Sequence, residues 1–502
     1  MKKRQFVLLC LMVMLSGPFM QAQAQTGGCY SGRGAGGSIS SGDYNTYFGD
    51  SASYQTQYDH RNVSFGFKAG FDNDGNYNSF LGAYSGMNNS YGGDNTFAGY
   101  SSGFFNTRGT DNVFLGSQSG YNNVSGGDLV FIGYRAGYNN TTGFDNVFVG
   151  YYSGYANTTT RDNTFIGYRS GYFNNYGYRN TFVGSNSGVD NTSGHHNTFI
   201  GDSSGTDVSS GLYNTFVGAA SGASTEYTSY NTFVGASSGF HNNRYSSNNS
   251  SDARSNTYLG AFAGYINGKG SYNVVMGYRA DFYGEGQFGN DYNVILGGEA
   301  QLTKDNLNNT VLIGRSTRVG GDNSVAIGYQ AVVNEANSIV FGNSSITSLG
   351  GALNWTATSD GRVKQHVSED VVGREFINGL RPVTYTYDVS ELSAFYDQEV
   401  TDSLKQHVRY SGFIAQEVEE LANTLNYSFS GVDRPEDSLT STYGLRYAEF
   451  VVPLVKATQE LDAEVTQRYN KLEALQSDLD RVKALATRME EGYVQPKKST
   501  RQ

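Results

Sequence analysis

The stretch NVFVGYYSGYAN, residues 146–157, decides the fold of this chain, because close copies of it precede and follow it at a fixed interval. The next copy, NTFIGYRSGYFN, occupies residues 163–174, which is 17 residues further on. A fixed period of this length is typical of a protein built from stacked structural repeats. Ten glycines keep the spacing without a slip: Gly82, Gly99, Gly116, Gly133, Gly150, Gly167, Gly184, Gly201, Gly218 and Gly235.

The residues around these glycines repeat as well. A phenylalanine stands two residues before each of the ten glycines, and a second glycine stands four residues after it. An asparagine stands four residues before nine of them, and Leu129 is the exception. Related units surround Gly49 and Gly66. Towards the end of the array the interval shortens to 14 residues, up to Gly328 and Gly342.

Each repeat contains one five-residue extended run, bounded by Asn and Gly and rich in Thr, Phe, Val and Ile, which is typical of a β-strand. One such strand per repeat predicts a parallel β-solenoid or β-roll. Side chains alternate along a strand, so the residue before the glycine and the phenylalanine lie on opposite faces, and both faces are apolar. We expect the aliphatic face to be buried inside the coil. The other face, with about 200 Å² of aromatic surface per repeat, is then expected to pack against other copies of the chain.

The composition separates the chain from an ordinary enzyme. Its 502 residues include 65 glycines and 39 tyrosines, and only 16% are charged. Average proteins contain about 7% glycine and about 25% charged residues. Disordered chains are poor in aromatic residues, so an aromatic content of 14% indicates an ordered, repetitive chain. The net charge of −11 provides no basic surface for phosphates, which excludes nucleic acid as a partner.

The N-terminal sequence predicts export. Three basic residues precede an apolar run from Phe6 to Leu15, and the small-residue site Ala22-Gln23-Ala24 follows. This order is typical of a secretory signal peptide, so we expect residues 1–24 to be removed and the protein to be secreted or held at the cell surface. No later stretch approaches ~20 continuous apolar residues, so no membrane span is predicted. Cys29 is then the one remaining thiol, which excludes a disulfide framework.

The sequence changes character after the last repeat, where glycine becomes sparse and charge returns. Residues 343–358 contain the single tryptophan and are predicted to be a connector. Downstream, the patterns predict a helix over residues 373–380, strands over 383–387 and 408–413, and a long helix from about Tyr447.

Within the long helix, apolar residues alternate four and three apart, which is typical of a coiled-coil seam. Arg468 interrupts the pattern. A single solvent-facing amphipathic helix is the alternative. The seam consists of Leu461, Val465, Leu472, Leu475, Leu479, Val482, Ala486 and Met489.

The 14-residue units resemble a known family. SVAIGYQA at 324–331 and NSIVFGN at 337–343 are similar to the head repeats of trimeric autotransporter adhesins, and Asn323 to Gly342 match that pattern closely. This resemblance implies left-handed parallel β-rolls packed three to a bundle. The 17-residue units match the same pattern more loosely, with three residues added per turn.

Four motifs in the C-terminal region resemble the intramolecular chaperone domain of phage tailspikes and endosialidases. They are TSDGRVK at 358–364, LRPVTY at 380–385, GFIAQEV at 412–418 and LRY at 445–447. In that family a Ser-Lys dyad cuts the chain just before the serine once a trimer has assembled. The resemblance assigns the nucleophile to Ser359, the base to Lys364 and the cut to the bond between Thr358 and Ser359.

The chemistry of such a cut needs a base beside the serine, because a hydroxyl is a poor nucleophile until its proton is removed. A lysine partly desolvated in a trimer interface suits that role. A trimerisation cap that never cuts is the alternative, with Ser359 and Asp360 capping a turn. Gln416 is a candidate donor to the carbonyl at the cut or, alternatively, a packing residue. His366 and His407 lack liganding neighbours at zinc spacing, so no metal or cofactor is predicted.

These patterns predict a mainly β homotrimer, made of a parallel β-roll or β-solenoid followed by a small α+β chaperone domain and a trimeric coiled coil. The favoured function is a secreted, adhesin-like fibre that binds a surface polysaccharide or another cell-surface ligand. At most we expect single-turnover self-cleavage.

The alternatives are a tailspike-like polysaccharide-degrading enzyme, whose candidate carboxylates would be Asp281, Glu285, Asp291 and Glu299, and a non-cleaving prophage-type tail fibre. The predicted order is a signal peptide at 1–24, repeats at 25–342, a connector at 343–358, the chaperone domain at 359–453, the coiled coil at 454–490 and a tail at 491–502.

Overall fold

The computed structural model describes residues 27–243, 253–282, 289–346, 348–352, 355–388, 390–392, 407–435 and 442–493. The predicted signal peptide therefore lies outside the described residues. The chain divides into two compact units, Met1–Asn343 and Ser344–Gln502. The first unit is a β-solenoid and the second is a small α/β region that continues into a long helix, so the predicted fold class is confirmed.

One parallel sheet of 19 strands runs along the solenoid, and each strand pairs in register with its counterpart in the next coil. All of these strands have three residues rather than the predicted five, because the flanking glycine turns the chain at a positive φ, which is +133° at Gly133. The strands are β1 (Cys29–Ser31), β2 (Thr46–Phe48), β3 (Val63–Phe65), β4 (Ser79–Leu81), β5 (Thr96–Ala98), β6 (Val113–Leu115), β7 (Val130–Ile132), β8 (Val147–Val149), β9 (Thr164–Ile166), β10 (Thr181–Val183), β11 (Thr198–Ile200), β12 (Thr215–Val217), β13 (Thr232–Val234), β14 (Thr257–Leu259), β15 (Val274–Met276), β16 (Val294–Leu296), β18 (Val311–Ile313), β20 (Val325–Ile327) and β22 (Ile339–Phe341).

The central phenylalanine of strands β4 to β13 lies inside the coil, so the expectation that it faces other copies of the chain is wrong. Phe131 is fully buried and stacks on Phe148 with the ring centroids 4.8 Å apart. The rings form one continuous stack because the strands pair in register. The apolar residue before the glycine points outward instead. The exposed members of this outer stripe are Phe65, Leu81, Ile166, Ile200, Leu259, Met276, Ile313 and Phe341.

Buried polar side chains hold the turns between strands. The amide oxygen of Asn95 accepts a hydrogen bond from the backbone N–H of Asn112 at 3.0 Å, and its amide nitrogen donates to the carbonyl of Gly109 at 2.9 Å. Ser102 donates to the carbonyl of Phe114, in the next coil, at 3.0 Å. These buried polar side chains are thereby satisfied by a neighbouring coil, which explains why asparagine and serine recur inside the solenoid.

The two glycines of each repeat allow the coils to approach closely. A Cβ on Gly133 would lie 2.3 Å from the carbonyl oxygen of Gly150 in the next coil. A Cβ on Gly137, whose φ is +57°, would lie 2.4 Å from the ring of Phe131. Any larger residue therefore pushes apart either the coil backbones or the phenylalanine stack.

The shorter C-terminal coils have a different core. From Val275 onward the stack of rings gives way to aliphatic side chains, including Ile295 and Leu312. A second, three-stranded parallel sheet forms here from β17 (Gln301–Leu302), β19 (Arg318–Val319) and β21 (Val332–Val333).

The second unit contains short elements around a small core. The strands β23 (Val383–Tyr385) and β24 (Tyr410–Gly412) pair antiparallel, as do β25 (Val432–Asp433) and β26 (Gly444–Leu445). The helices are α1 (Arg374–Gly379), α2 (Ala415–Thr424) and α3 (Val451–Tyr493), with 3₁₀ turns at η1 (Gly361–Val363) and η2 (Tyr447–Phe450). Phe376, Val418 and Ala422 form the buried core. Across the described ranges, no helix combines the length and apolar character needed to span a membrane.

Candidate functional site

Ser359 and Lys364 lie side by side. The ammonium Nζ of Lys364 donates a hydrogen bond to the hydroxyl Oγ of Ser359 at 2.8 Å. The turn η1 lies between the two residues and reverses the chain, which brings side chains five positions apart into contact. The local sequence alone therefore places a hydroxyl within proton-transfer distance of an amine.

Asp360 and Arg362 stabilise this turn. The carboxylate of Asp360 caps the 3₁₀ turn by accepting from the backbone N–H of Arg362 at 2.9 Å. The guanidinium of Arg362 also pairs with both carboxylate oxygens, at 3.1 and 2.9 Å from Nε. These hydrogen bonds lower the pKa of the Asp360 carboxyl. The two residues thus keep the turn that brings Ser359 and Lys364 together.

The single chain does not bury the side chains of Ser359 and Lys364. A lysine accepts a proton from a hydroxyl only when its amine is neutral, and desolvation favours the neutral form. Ser359 and Lys364 are both exposed, and so is Thr358 on the other side of the predicted cut. The chain provides the contact between nucleophile and base, and any desolvation has to come from another surface.

Gln416 lies in a separate cleft of the second unit. It is the second residue of α2 and it is exposed. The cleft has a volume of about 530 Å³, and residues 358–364 do not line it. The structure therefore brings Ser359 and Lys364 together but does not bring Gln416 to them, and its role at the carbonyl stays a prediction.

Residues of the three motifs that follow TSDGRVK line the Gln416 cleft. Tyr385 of LRPVTY, Phe413 of GFIAQEV and Tyr447 of LRY all line it. The backbone N–H of Phe413 donates to the hydroxyl of Tyr447 at 3.2 Å. A hydrogen bond with Tyr387 raises the pKa of Tyr385 to about 12. The motifs that are distant in sequence thus form one aromatic recess.

The predicted seam lies along an exposed face of α3. The first turns of this helix pack against α1, where the backbone N–H of Arg374 donates to the carboxylate of Glu460 at 2.8 Å. From Leu461 onward the apolar side chains are open to solvent, with exposed fractions from 47% at Leu479 to 70% at Met489. A row of exposed apolar side chains of this length indicates a surface that binds a partner.

Three of the four carboxylates considered for an enzyme have structural partners: Asp281, Asp291 and Glu299. Asp281 is buried, and its carboxylate accepts from the backbone N–H groups of Ile266 and Phe282 at 3.1 and 2.9 Å. Burial raises its pKa to about 8. Asp281 and Glu299 line one recess of about 470 Å³, while Glu285 lies outside the described residues.

The sequence analysis missed a groove on the solenoid, with a volume of about 1030 Å³. Two ladders of side chains line it, six and eight residues after the repeat glycine. The signal that would have revealed it is the recurrence of threonine eight residues after the glycine, as in Thr107, Thr141, Thr158 and Thr192.

Comparison with known families gives two matches. Residues 359–426 match the family described as chaperone of endosialidase. Residues 320–345 match two copies of the YadA head domain repeat. Both resemblances drawn from the sequence are confirmed. None of the curated proteins matches the chain significantly.

Proposed function

We propose that the chain is a secreted, homotrimeric, adhesin-like fibre whose C-terminal region drives trimer folding and then cuts the chain between Thr358 and Ser359. The solenoid and the two family matches fit a fibre of this class. The observation that carries the proposal is the exposed apolar seam of α3, which extends from Leu461 to Met489. Coiled-coil association buries such a seam by placing each apolar side chain between side chains of neighbouring helices.

The outer stripe of the solenoid supports association along the array. An apolar side chain recurs at this position in successive coils, and Leu81 is 57% exposed. Complete burial of a fully exposed side chain of this size contributes about 1.5–3 kcal/mol, and a half-exposed one contributes about half of that. Packing three solenoids along this stripe, rather than along the phenylalanine stack, is therefore the arrangement that we propose.

The proposed cut is an acyl transfer followed by hydrolysis. Ser359 Oγ loses its proton to the neutral amine of Lys364 and attacks the carbonyl carbon of Thr358. The peptide C–N bond breaks, the amine of Ser359 receives a proton, and an ester joins Thr358 to Ser359 Oγ. Water then hydrolyses the ester, which leaves a carboxylate on Thr358 and restores the hydroxyl of Ser359. Burial of the dyad in the assembled trimer would favour the neutral lysine, so assembly precedes the cut.

Light scattering of the purified protein tests the proposed assembly. We expect a mass of three chains for the wild type at micromolar concentration. Replacing Leu472, Leu475 and Leu479 with Asp should remove that species, because carboxylates cannot be buried in the seam without a partner. A monomeric or dimeric wild type would contradict the proposal.

A further inference from the structure

The groove on the solenoid has a defined length and contains two exposed phenylalanine rings. Phe105 and Phe173 occupy the same position of the repeat, four coils apart, and are 40% and 44% exposed. Coils stack about 4.8 Å apart, so about 19 Å separates the two rings. Asn122, Asn139 and Ala156 line the groove between them.

Threonine hydroxyls of one ladder and asparagine amides of the other line the groove. Thr107 and Thr141 each donate the hydroxyl hydrogen to a carbonyl of the next coil at 3.0 Å, so their oxygens serve a ligand as acceptors. Asn122 donates one amide hydrogen to Asn139 at 3.2 Å, and an amide nitrogen carries two hydrogens. The groove therefore offers both acceptors and donors, which suits a ligand whose groups both donate and accept.

The backbone of the groove is already paired. The N–H of Thr107 donates to the carbonyl of Val124, and the N–H of Val124 donates to the carbonyl of Thr141, at 3.1 and 2.8 Å. A peptide that binds as an added strand needs unpaired backbone groups. Because the backbone groups are paired, the side chains form the surface that contacts a ligand. This disfavours a peptide that binds as an added strand.

The charge of the residues that line the groove indicates which class of polymer can bind there. Its lining contains no basic residue and one carboxylate, Asp190, at one end. The chain as a whole carries a net charge of −11, which repels anionic polymers. The groove thus combines hydroxyl and amide groups with two exposed phenylalanine rings, and its one charged lining residue is Asp190 in the last coil.

We infer that this groove binds a neutral polysaccharide chain, whose hydroxyls pair with the threonine and asparagine ladders and whose apolar sugar faces stack on Phe105 and Phe173. The inference rests on the proposed function, because it supplies the ligand site of a fibre displayed outside the cell. The surface tyrosines Tyr134, Tyr151 and Tyr168 stack on one another, with centroids 5.2 and 5.6 Å apart. They form a second exposed aromatic surface, which is the alternative binding site for the same polysaccharide.

Calorimetric titration of the full-length assembled protein with cellohexaose, chitohexaose, mannohexaose and maltohexaose tests the inference, with oligogalacturonate as the acidic comparison. We expect at least one neutral oligosaccharide to bind. The double variant Phe105→Ala/Phe173→Ala should weaken that binding about tenfold, since each lost ring contributes a modest stacking energy. Tyr151→Ala, a matched loss of an exposed ring in the same coils, should change it by less than about twofold.

Three results would overturn the inference: no neutral oligosaccharide binds, oligogalacturonate alone binds, or Tyr151→Ala weakens binding as much as the double variant does. Unchanged binding in the double variant would also place the ligand elsewhere. Light scattering on the same samples reports the trimer separately. A trimer that fails to bind would overturn the groove assignment and leave the proposed fibre intact, whereas a monomeric wild type would contradict the fibre.

Discussion

Phe131 is fully buried and stacks between the rings of Phe114 and Phe148, with centroids 4.9 and 4.8 Å away. The same contact recurs in each coil from Phe80 to Tyr258. Stacked aromatic pairs contribute about 0.5–1.5 kcal/mol beyond the burial of their surface. At the scale of single residues, the array is thus held by one repeated ring contact and by the asparagine and serine hydrogen bonds beside it.

The dyad gives a prediction at the same scale. In Ser359→Ala and Lys364→Ala, the mature chain should stay in one piece, because one variant lacks the nucleophile and the other lacks the base. Both variants should still form trimers, since neither residue belongs to the seam. Denaturing electrophoresis of the purified trimers reads the chain length.

Arg409→Ala serves as the matched control, since Arg409 is a basic residue of the second unit that bonds Thr384 rather than Ser359. This variant should be cut like the wild type. Cleavage that persists in Ser359→Ala would assign the cut to an outside protease, and a wild-type trimer that stays intact would remove the proposed peptidase activity.

Asp281 predicts a dependence of stability on pH. Burial raises its pKa from 3.8 to about 8. Between these values the folded chain keeps a proton that the unfolded chain has released, so stability falls as the pH rises from about 4 to about 8. Asp281→Asn is neutral throughout and keeps an oxygen for the N–H groups of Ile266 and Phe282.

Melting temperatures of wild type and Asp281→Asn, measured across this pH range, test the effect. The two proteins should agree near pH 4, where both side chains are neutral, and the variant should be increasingly more stable towards pH 8. Parallel curves would show that the Asp281 carboxyl titrates alike in the folded and unfolded chains.

At the scale of elements, periodicity predicted the strands, their parallel pairing and the long helix, because these follow from spacing. Spacing alone does not determine which face is buried when both faces of a strand are apolar. The small coil of this solenoid places one side chain of each three-residue strand inside, and the structure selects the phenylalanine. The Ser359–Lys364 contact was predictable because five residues and one turn connect the pair.

The groove and the location of Gln416 depend on how distant segments pack. The groove forms where side chains of six successive coils line a concave side. Gln416 lies in a cleft formed by strands and turns that the motif order alone does not bring together. The recurring threonine marks one side of the groove in the sequence, but the shape of the groove and the position of Gln416 depend on packing between distant segments.

The α3 seam also predicts the folding behaviour of the array. Parallel coils lose chain entropy before their non-local contacts form, so they fold slowly without a template. If α3 nucleates the trimer, replacing Leu472, Leu475 and Leu479 with Asp should leave the array aggregated rather than only detach the tail. The soluble fraction and the β-sheet circular dichroism signal measure this.

Asn470→Asp, Ser477→Asp and Ala484→Asp together form the control, since they add three carboxylates to the opposite face of α3. This variant should fold and assemble like the wild type. A soluble, trimeric array from the seam variant would disprove the chaperone role of the C-terminal region.

At the scale of the whole molecule, the two units have different tasks. The solenoid stacks repeats, each paired with its neighbours, and carries the outer stripe and the groove. The second unit carries the seam and the dyad. We infer that the first unit is the lasting fibre and that the second acts during assembly, because the cut lies between the solenoid and nearly all of the second unit.

Native mass spectrometry of the purified wild-type protein, followed by denaturation of the same sample, tests this division most directly. The native spectrum should contain three copies of the array. The denatured spectrum should contain the fragments Gln25–Thr358 and Ser359–Gln502, while Ser359→Ala should give a trimer of uncut chains. A wild-type spectrum with a single uncut chain would contradict the proposal that this protein assembles as a trimer and then cuts itself.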